Sequence, residues 1–118
     1  MADDALAPPQ ADFVGRAAAA GVVVSDQQSW GDLEVDIGRY EVRRAGAVLS
    51  LTPRQTELLA LFLAAPQRIW TRSQLHQICW GDGTSGRGVD VQLCRIRARI
   101  GADLFRNVPD RGWLLRSA

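Results

Sequence analysis

The residues best suited to chemistry lie in one stretch, residues 86–101, with the sequence GRGVDVQLCRIRARIG. At 3.6 residues per turn this stretch predicts a helix with one narrow apolar face, formed by Val89, Leu93, Ile96 and Ile100. The opposite face carries Arg87, Val91, Cys94, Arg95 and Ala98, flanked by Arg97 and Arg99. The planar fork of arginine fits phosphate oxygens and the edge of guanine. The pattern is that of a helix that binds nucleic acid, or of an ordinary helix with a solvated charged face.

The distribution of charge supports the first interpretation. The formal net charge of the 118 residues is only +1. However, residues 1–50 hold four arginines against eight acids, whereas residues 51–118 hold ten arginines against five acids. A basic region beside an acidic one is a patch, and patches govern association with polyanions.

Other chemistries find little support. Cys79, Cys94 and the single histidine, His76, are too few for a closed zinc site, and no disulfide framework is expected. The GDGTSG segment lacks the lysine and the preceding strand of a phosphate-binding loop. We therefore expect no enzyme activity, no metal and no cofactor. The acidic start and the short apolar runs predict neither a signal peptide nor a membrane span, which favours a cytoplasmic protein.

The elements around the arginine stretch divide the chain in two. Residues 1–29 are rich in Ala, Pro and Gln and predict a flexible N-terminal tail or linker, within which residues 13–24 could form a short helix or strand. Residues 30–118 predict one domain. Alternating apolar residues indicate an antiparallel meander over about residues 32–51.

Two helix starts follow the meander. Thr52, Pro53 and Gln55 form a capping box with proline at the first helical position, and the helix stops at Pro66. Thr71 and Gln74 repeat the capping box before a shorter helix that ends at Trp80-Gly81. The arginine helix comes next, and a terminal hairpin is predicted to turn at residues 109–112. The prediction is an α+β fold: a winged helix-turn-helix with an N-terminal antiparallel sheet, three helices and a C-terminal β-hairpin.

The ordered motifs LTPRQTELLALFLAAPQRIWTRSQLHQICWG, RGVDVQLCRIRARIG and VPDRGWLLR resemble the C-terminal DNA-binding domains of OmpR/PhoB-type response regulators. The resemblance covers about residues 32–116, and the VPDRGW segment is similar to the wing of ToxR/CadC-like members. It implies a sequence-specific regulator of transcription that binds double-stranded DNA. The third helix, at about residues 86–100, would enter the major groove and the hairpin wing the minor groove.

The resemblance also assigns DNA contacts to individual positions. It places Arg87 on phosphate and Arg97 on the backbone of the far side, with Val91, Gln92 and Arg95 facing bases. The remaining expected contacts are Asp90, which touches a base edge through water or orients a neighbouring arginine, Arg111 in the minor groove, and Trp80 near phosphate.

Five features depart from the family pattern. Gly88 and Cys94 stand where side chains that contact DNA are common, and Pro109 replaces a minor-groove arginine, a role that passes to Arg111. The loop before the third helix, which in the family can contact RNA polymerase, is shorter than usual. A receiver domain is missing, so the chain is either a stand-alone winged helix, which the initial methionine favours, or a piece of a longer regulator.

The resemblance further implies head-to-tail pairs on direct repeats, RNA polymerase as a further partner, and no membrane. The alternative hypothesis is a winged helix that docks on RNA polymerase or another regulator without specific DNA binding.

Overall fold

The computed structural model describes residues 9–81, 87–101 and 104–115. Its elements, in chain order, are α1 (Pro9–Ala19), β1 (Gln27–Trp30), β2 (Leu33–Asp36), β3 (Glu41–Arg44), β4 (Ala47–Leu49), α2 (Pro53–Ala64), α3 (Arg72–Trp80), α4 (Arg87–Ile100), β5 (Phe105–Val108) and β6 (Gly112–Leu115). The predicted order of sheet, three helices and hairpin is confirmed. One helix, α1, precedes it.

The segment before residue 30 differs from the flexible tail that the sequence suggested. From Pro9 onward it forms α1, and Phe13 and Ala17, four residues apart on one helix face, are completely buried. Val22 and Val24 are buried after the turn at Gly21. The first strand also begins before the expected meander, at residue 27. Residues 9–29 therefore belong to the packed domain, and residues 1–8 lie outside the described part.

The four-stranded sheet is an antiparallel meander in the order β1-β2-β3-β4. Leu33 and Val35 of β2 and Val42 of β3 point into the core, while Glu34 between them is exposed. This alternation is the one expected of a sheet with one solvated face. The register pairs Val35 with Val42, so the buried side chains lie on the same face.

α2 is the central element of the core, with every residue from Gln55 to Leu63 buried. Its predicted capping box is confirmed: Thr52 Oγ1 accepts from the Gln55 amide at 3.2 Å, and the Thr52 amide donates to Gln55 Oε1 at 3.0 Å. The same box starts α3 at Thr71 and Gln74. Because each box satisfies backbone groups that the helix leaves unpaired, both helix starts are fixed locally.

The C-terminal hairpin, β5 and β6, is attached to the backbone that precedes α3. The Trp70 amide donates to the Trp113 carbonyl at 2.7 Å, and the Trp113 amide donates to the Trp70 carbonyl at 2.8 Å. The neighbouring Gly112 has φ of 139°, and a Cβ there would stand 2.0 Å from the Trp70 carbonyl oxygen. Only glycine allows this close approach. The wing is therefore held directly against the segment that leads into α3.

Candidate nucleic-acid interface

α4 has the two faces that its sequence predicts. Val89, Leu93, Ile96 and Ile100 are buried and anchor the helix to the core. The opposite side is exposed at Val91, Cys94, Arg95 and Ala98. Since the exposed face combines a guanidinium group with small and apolar side chains, a groove could approach the helix closely there.

One flank of α4 is tied to α3 by an ion pair. Arg72 Nε lies 2.9 Å from Asp90 Oδ1 and 3.0 Å from Oδ2. The carboxylate stabilises the charged guanidinium and raises the pKa of Arg72. The sequence left two roles open for Asp90, and this contact matches the second, the orientation of a neighbouring arginine.

The other flank of α4 is tied to α2 by an amide pair. Gln55 Nε2 donates to Gln92 Oε1 at 2.9 Å. Gln55 is also the capping-box residue of α2, and its own Oε1 is occupied by the Thr52 amide. Gln92 is half-buried, and its amide is oriented by Gln55 from inside the protein.

Trp80 ends α3 within a stack of side chains. Its ring is 4.9 Å from the His76 ring with an interplanar angle of 8°, and the Arg54 guanidinium lies over it at 4.7 Å. A cation over an indole face is attracted by the ring quadrupole. The stack leaves Arg54, at the start of α2, as an exposed cation beside the residue that the sequence expected near phosphate.

The structure describes some, but not all, of the arginines that were expected to contact DNA at the ends of the interface. α4 begins at Arg87, but the Arg87 side chain lies outside the described part. Arg97 is half-buried. Arg111 is exposed in the hairpin turn, where its amide donates to the Val108 carbonyl at 3.0 Å. Apart from Gly81, the short loop predicted at residues 81–86 also lies outside the described part.

A shallow cleft of about 410 Å³ lies between the start of α2 and the second half of α4. Its lining includes Ser50, Thr52 and Gln55 on one side and Arg95 and Arg99 on the other. Both arginines are exposed, so the cleft widens the positive surface from α4 towards α2.

A buried acid lies behind this surface. Glu57 on α2 accepts a 2.5 Å hydrogen bond from the Tyr40 hydroxyl. Burial raises the pKa of Glu57, while that hydrogen bond and the charges of Arg54 and Arg16 oppose the rise. Burial and the same carboxyl raise the pKa of Tyr40. Because its partner is internal, Glu57 has a structural role and does not face a ligand.

The described residues offer little for other chemistry. They contain no group of three or more His, Cys, Asp and Glu side chains placed to hold a metal ion. Cys79 is buried, which raises the pKa of its thiol, and Cys94 is exposed, as its position on the outer face of the helix predicted. Within the same residues, no helix is both long and apolar enough to cross a membrane.

The three helices α2, α3 and α4, with the exposed arginines of α4 and a hairpin fixed beside α3, define a winged helix-turn-helix protein. Residues 46–115 match the model of the family described as "Transcriptional regulatory protein, C terminal". The chain belongs to this family, the OmpR/PhoB-type C-terminal domains of DNA-binding transcriptional regulators. The resemblance inferred from its motifs is thereby confirmed.

Similar proteins agree with this assignment. The chain is 41% identical over 91 residues to the transcriptional regulatory protein CseB of Streptomyces coelicolor, covering 75% of this chain and 39% of that protein. The chain thus spans about two fifths of the length of that relative. In structure it is similar to the DNA-binding domain of CpxR from E. coli, with a TM-score of 0.72, 25% identity, and coverage of 80% of this chain and 99% of that one.

The same fold occurs in a solved DNA complex. The DNA-binding domain of Klebsiella pneumoniae RstA, in complex with the RstA box, gives a TM-score of 0.69 at 23% identity. The match covers 77% of this chain and 97% of that domain.

Sequence reasoning missed three side chains at this candidate interface. Arg54 and Arg72 each lie in the first turn of a capped helix, and both are exposed. Their position near a helix start was the available signal. Gln55 was recognised as a capping residue, but nothing in its local sequence indicated a bond to α4.

Proposed function

We propose that this chain binds double-stranded DNA by placing the outer face of α4 in the major groove and the β5–β6 turn in the minor groove. The observation that carries the proposal is the state of Arg95. It is exposed at the middle of the outer face, and no acid within the described residues pairs with it. An arginine left available in this way suits the two acceptors of guanine.

Each neighbouring side chain receives a role that fits its surroundings. Val91 is exposed and apolar and contacts a thymine methyl group, while Arg87 and Arg97 hold phosphates. Asp90 orients Arg72 and neutralises its charge, so that Arg72 lies near the DNA backbone without holding a phosphate. Trp80 supports Arg54, so phosphate is held by the cation over the ring. Arg111 enters the minor groove from the wing.

We also propose that two copies bind direct repeats head to tail. The outer face of the sheet carries Glu34 and Asp36, while the hairpin exposes Arg106 outside its turn. Opposite charges on two separate surfaces favour a heterologous contact between copies. Contact with RNA polymerase and a cytoplasmic location remain predictions from the sequence.

The test is binding to a pool of genomic DNA fragments at low salt, by the wild type, Arg95→Ala and Arg39→Ala. Arg39 lies next to the sheet and loses the same charge, so it serves as the matched control. We expect Arg95→Ala to relax the sequence preference at one base pair and to weaken specific binding about 5- to 100-fold, with Arg39→Ala close to wild type.

Two results would count against the proposal. Absence of DNA binding by the wild type would reject it and favour the alternative of a winged helix that docks on another protein. Unchanged sequence preference in Arg95→Ala would reject the assignment of Arg95.

Arg87→Ala should weaken binding to all sequences and reduce the slope of log affinity against log salt by about one.

A further inference from the structure

The capping box of α2 extends by one hydrogen bond to α4. The Thr52 amide can only donate, so the atom of Gln55 that it meets at 3.0 Å must be the carbonyl oxygen, Oε1. The other end of the Gln55 amide, Nε2, is then a donor, and it points to Gln92 at 2.9 Å. The atom of Gln92 that faces α2 must therefore be its oxygen.

This chain of bonds fixes the direction of a side chain on the proposed DNA surface. A glutamine amide normally offers either a donor or an acceptor to a base, according to how it rotates. Here the oxygen of Gln92 is held by Gln55, which leaves the NH2 group for an outside partner. Within the described residues no acceptor is bound to that NH2 group.

We infer that Gln55 makes Gln92 a specificity-determining hydrogen-bond donor, so that Gln92 reads a base edge that presents acceptors. Guanine and thymine present only acceptors in the major groove, whereas cytosine presents only a donor. At the base that Gln92 contacts, guanine or thymine is preferred and cytosine is disfavoured. This inference rests on the proposed docking of α4 in the major groove.

One substitution can reverse the donor and acceptor direction of this chain of hydrogen bonds. In Gln55→Glu, one carboxylate oxygen still accepts from Thr52, and glutamate is an ordinary capping-box residue at this position. The second oxygen now accepts, so the Gln92 amide must turn to donate its NH2 group inward. Its oxygen then faces outward, and the preferred base changes to cytosine or adenine, which present donors.

The chain contains a control for the added charge at the same capping-box position, although Gln74 is exposed and Gln55 is buried. Gln74 occupies the same position in the capping box of α3, with the Thr71 amide donating to its Oε1 at 3.0 Å. Gln74→Glu therefore introduces the same charge at the same helical position without touching Gln92. A second reversal, Gln92→Glu, accepts from Gln55 and presents an oxygen outward, and it tests the inference even if Gln55→Glu does not fold.

The experiment is selection of binding sites from a randomised duplex DNA pool by the wild type, Gln92→Ala, Gln55→Glu, Gln92→Glu and Gln74→Glu. We expect Gln92→Ala to lose about five- to tenfold discrimination at one base pair. Gln55→Glu and Gln92→Glu should move the preference at that base pair to cytosine or adenine, and Gln74→Glu should keep the preference of the wild type.

Three results would overturn the inference while the DNA-binding function stands. If Gln92→Ala selects the same site as the wild type at every position, Gln92 takes no part in base readout. Retention of the wild-type base by both reversed variants would show that polarity does not matter. The same shift in Gln74→Glu would assign the effect to charge. Failure of the wild type to select any site rejects the proposed function, and the inference with it.

Discussion

Asp90 and Arg72 join the first turns of α4 and α3 through a two-oxygen ion pair, with nitrogen–oxygen distances of 2.9 and 3.0 Å. Both side chains are substantially exposed. In such a pair the screening by water is strong, and the contribution to folding stability is small. Its main effect is on the DNA side, because the carboxylate neutralises an arginine that would otherwise be available to phosphate.

Removing this carboxylate should therefore strengthen non-specific DNA binding. We expect Asp90→Asn to bind random-sequence DNA more tightly than the wild type. The slope of log affinity against log salt should steepen by about one, because one more cation meets phosphate. The measurement is a titration of labelled DNA at several salt concentrations.

Glu41→Gln is the control for this change, because it breaks a 3.3 Å pair with Arg43 on the sheet, away from α4. It should leave the slope as in the wild type. A weaker Asp90→Asn variant with an altered preferred site would instead make Asp90 a base contact.

The packing of α1 predicts a large loss of stability from one substitution. The Phe13 side chain is completely buried, so Phe13→Ala leaves a cavity and should lower the free energy of unfolding by about 3–5 kcal/mol. Urea denaturation followed by circular dichroism measures this loss. Val23→Ala is the control, because Val23 is 80% exposed, and it should change stability by less than about 0.5 kcal/mol. Equal stability of the two variants would show that the packing of α1 does not contribute to the stability of the fold.

Glu57 should give the folded protein a characteristic dependence on pH. Its pKa is raised in the folded state above the ordinary value of 4.5, so the folded state binds a proton more tightly than the unfolded state. This contribution to stability is present below the ordinary value and is lost as pH rises through the raised pKa. We expect Glu57→Gln to remove that part of the fall, while Tyr40 keeps an oxygen to which it can donate.

The measurement is the free energy of unfolding from about pH 4 to about pH 7, the range in which a raised carboxyl pKa acts. Glu34→Gln, on the exposed face of β2, is the control and should follow the wild-type profile. Parallel profiles for Glu57→Gln and the wild type would show that Glu57 ionises in the folded protein as it does in the unfolded chain.

The elements predicted well from sequence are those whose signals are local. The capping boxes at Thr52 and Thr71 depend on residues three positions apart, and both form as expected. The apolar stripe of α4 depends on helical spacing and is buried as predicted. The hairpin turn is marked by Pro109 and Gly112.

The features missed depend on packing between elements. A short helix or strand was expected within residues 13–24, but the packing of α1 was missed, because its proline and alanines are equally typical of a linker. β1 is short and polar, so its sequence contains no alternation of apolar and polar residues. The bonds from Arg72 to Asp90 and from Gln55 to Gln92 span 18 and 37 residues and depend on how the helices cross. No local pattern encodes that angle.

The close approach of Gly112 to Trp70 has a consequence for the length of a DNA site. Trp113 of the wing exchanges two backbone hydrogen bonds with Trp70, just before α3, so the wing cannot slide relative to the helices. With the docking proposed above, the protein fixes the distance between the two elements that contact DNA, α4 and the wing. Arg95 and Arg111 then contact steps that are separated by a constant number of base pairs. Inserting one base pair between these steps removes one of the two contacts.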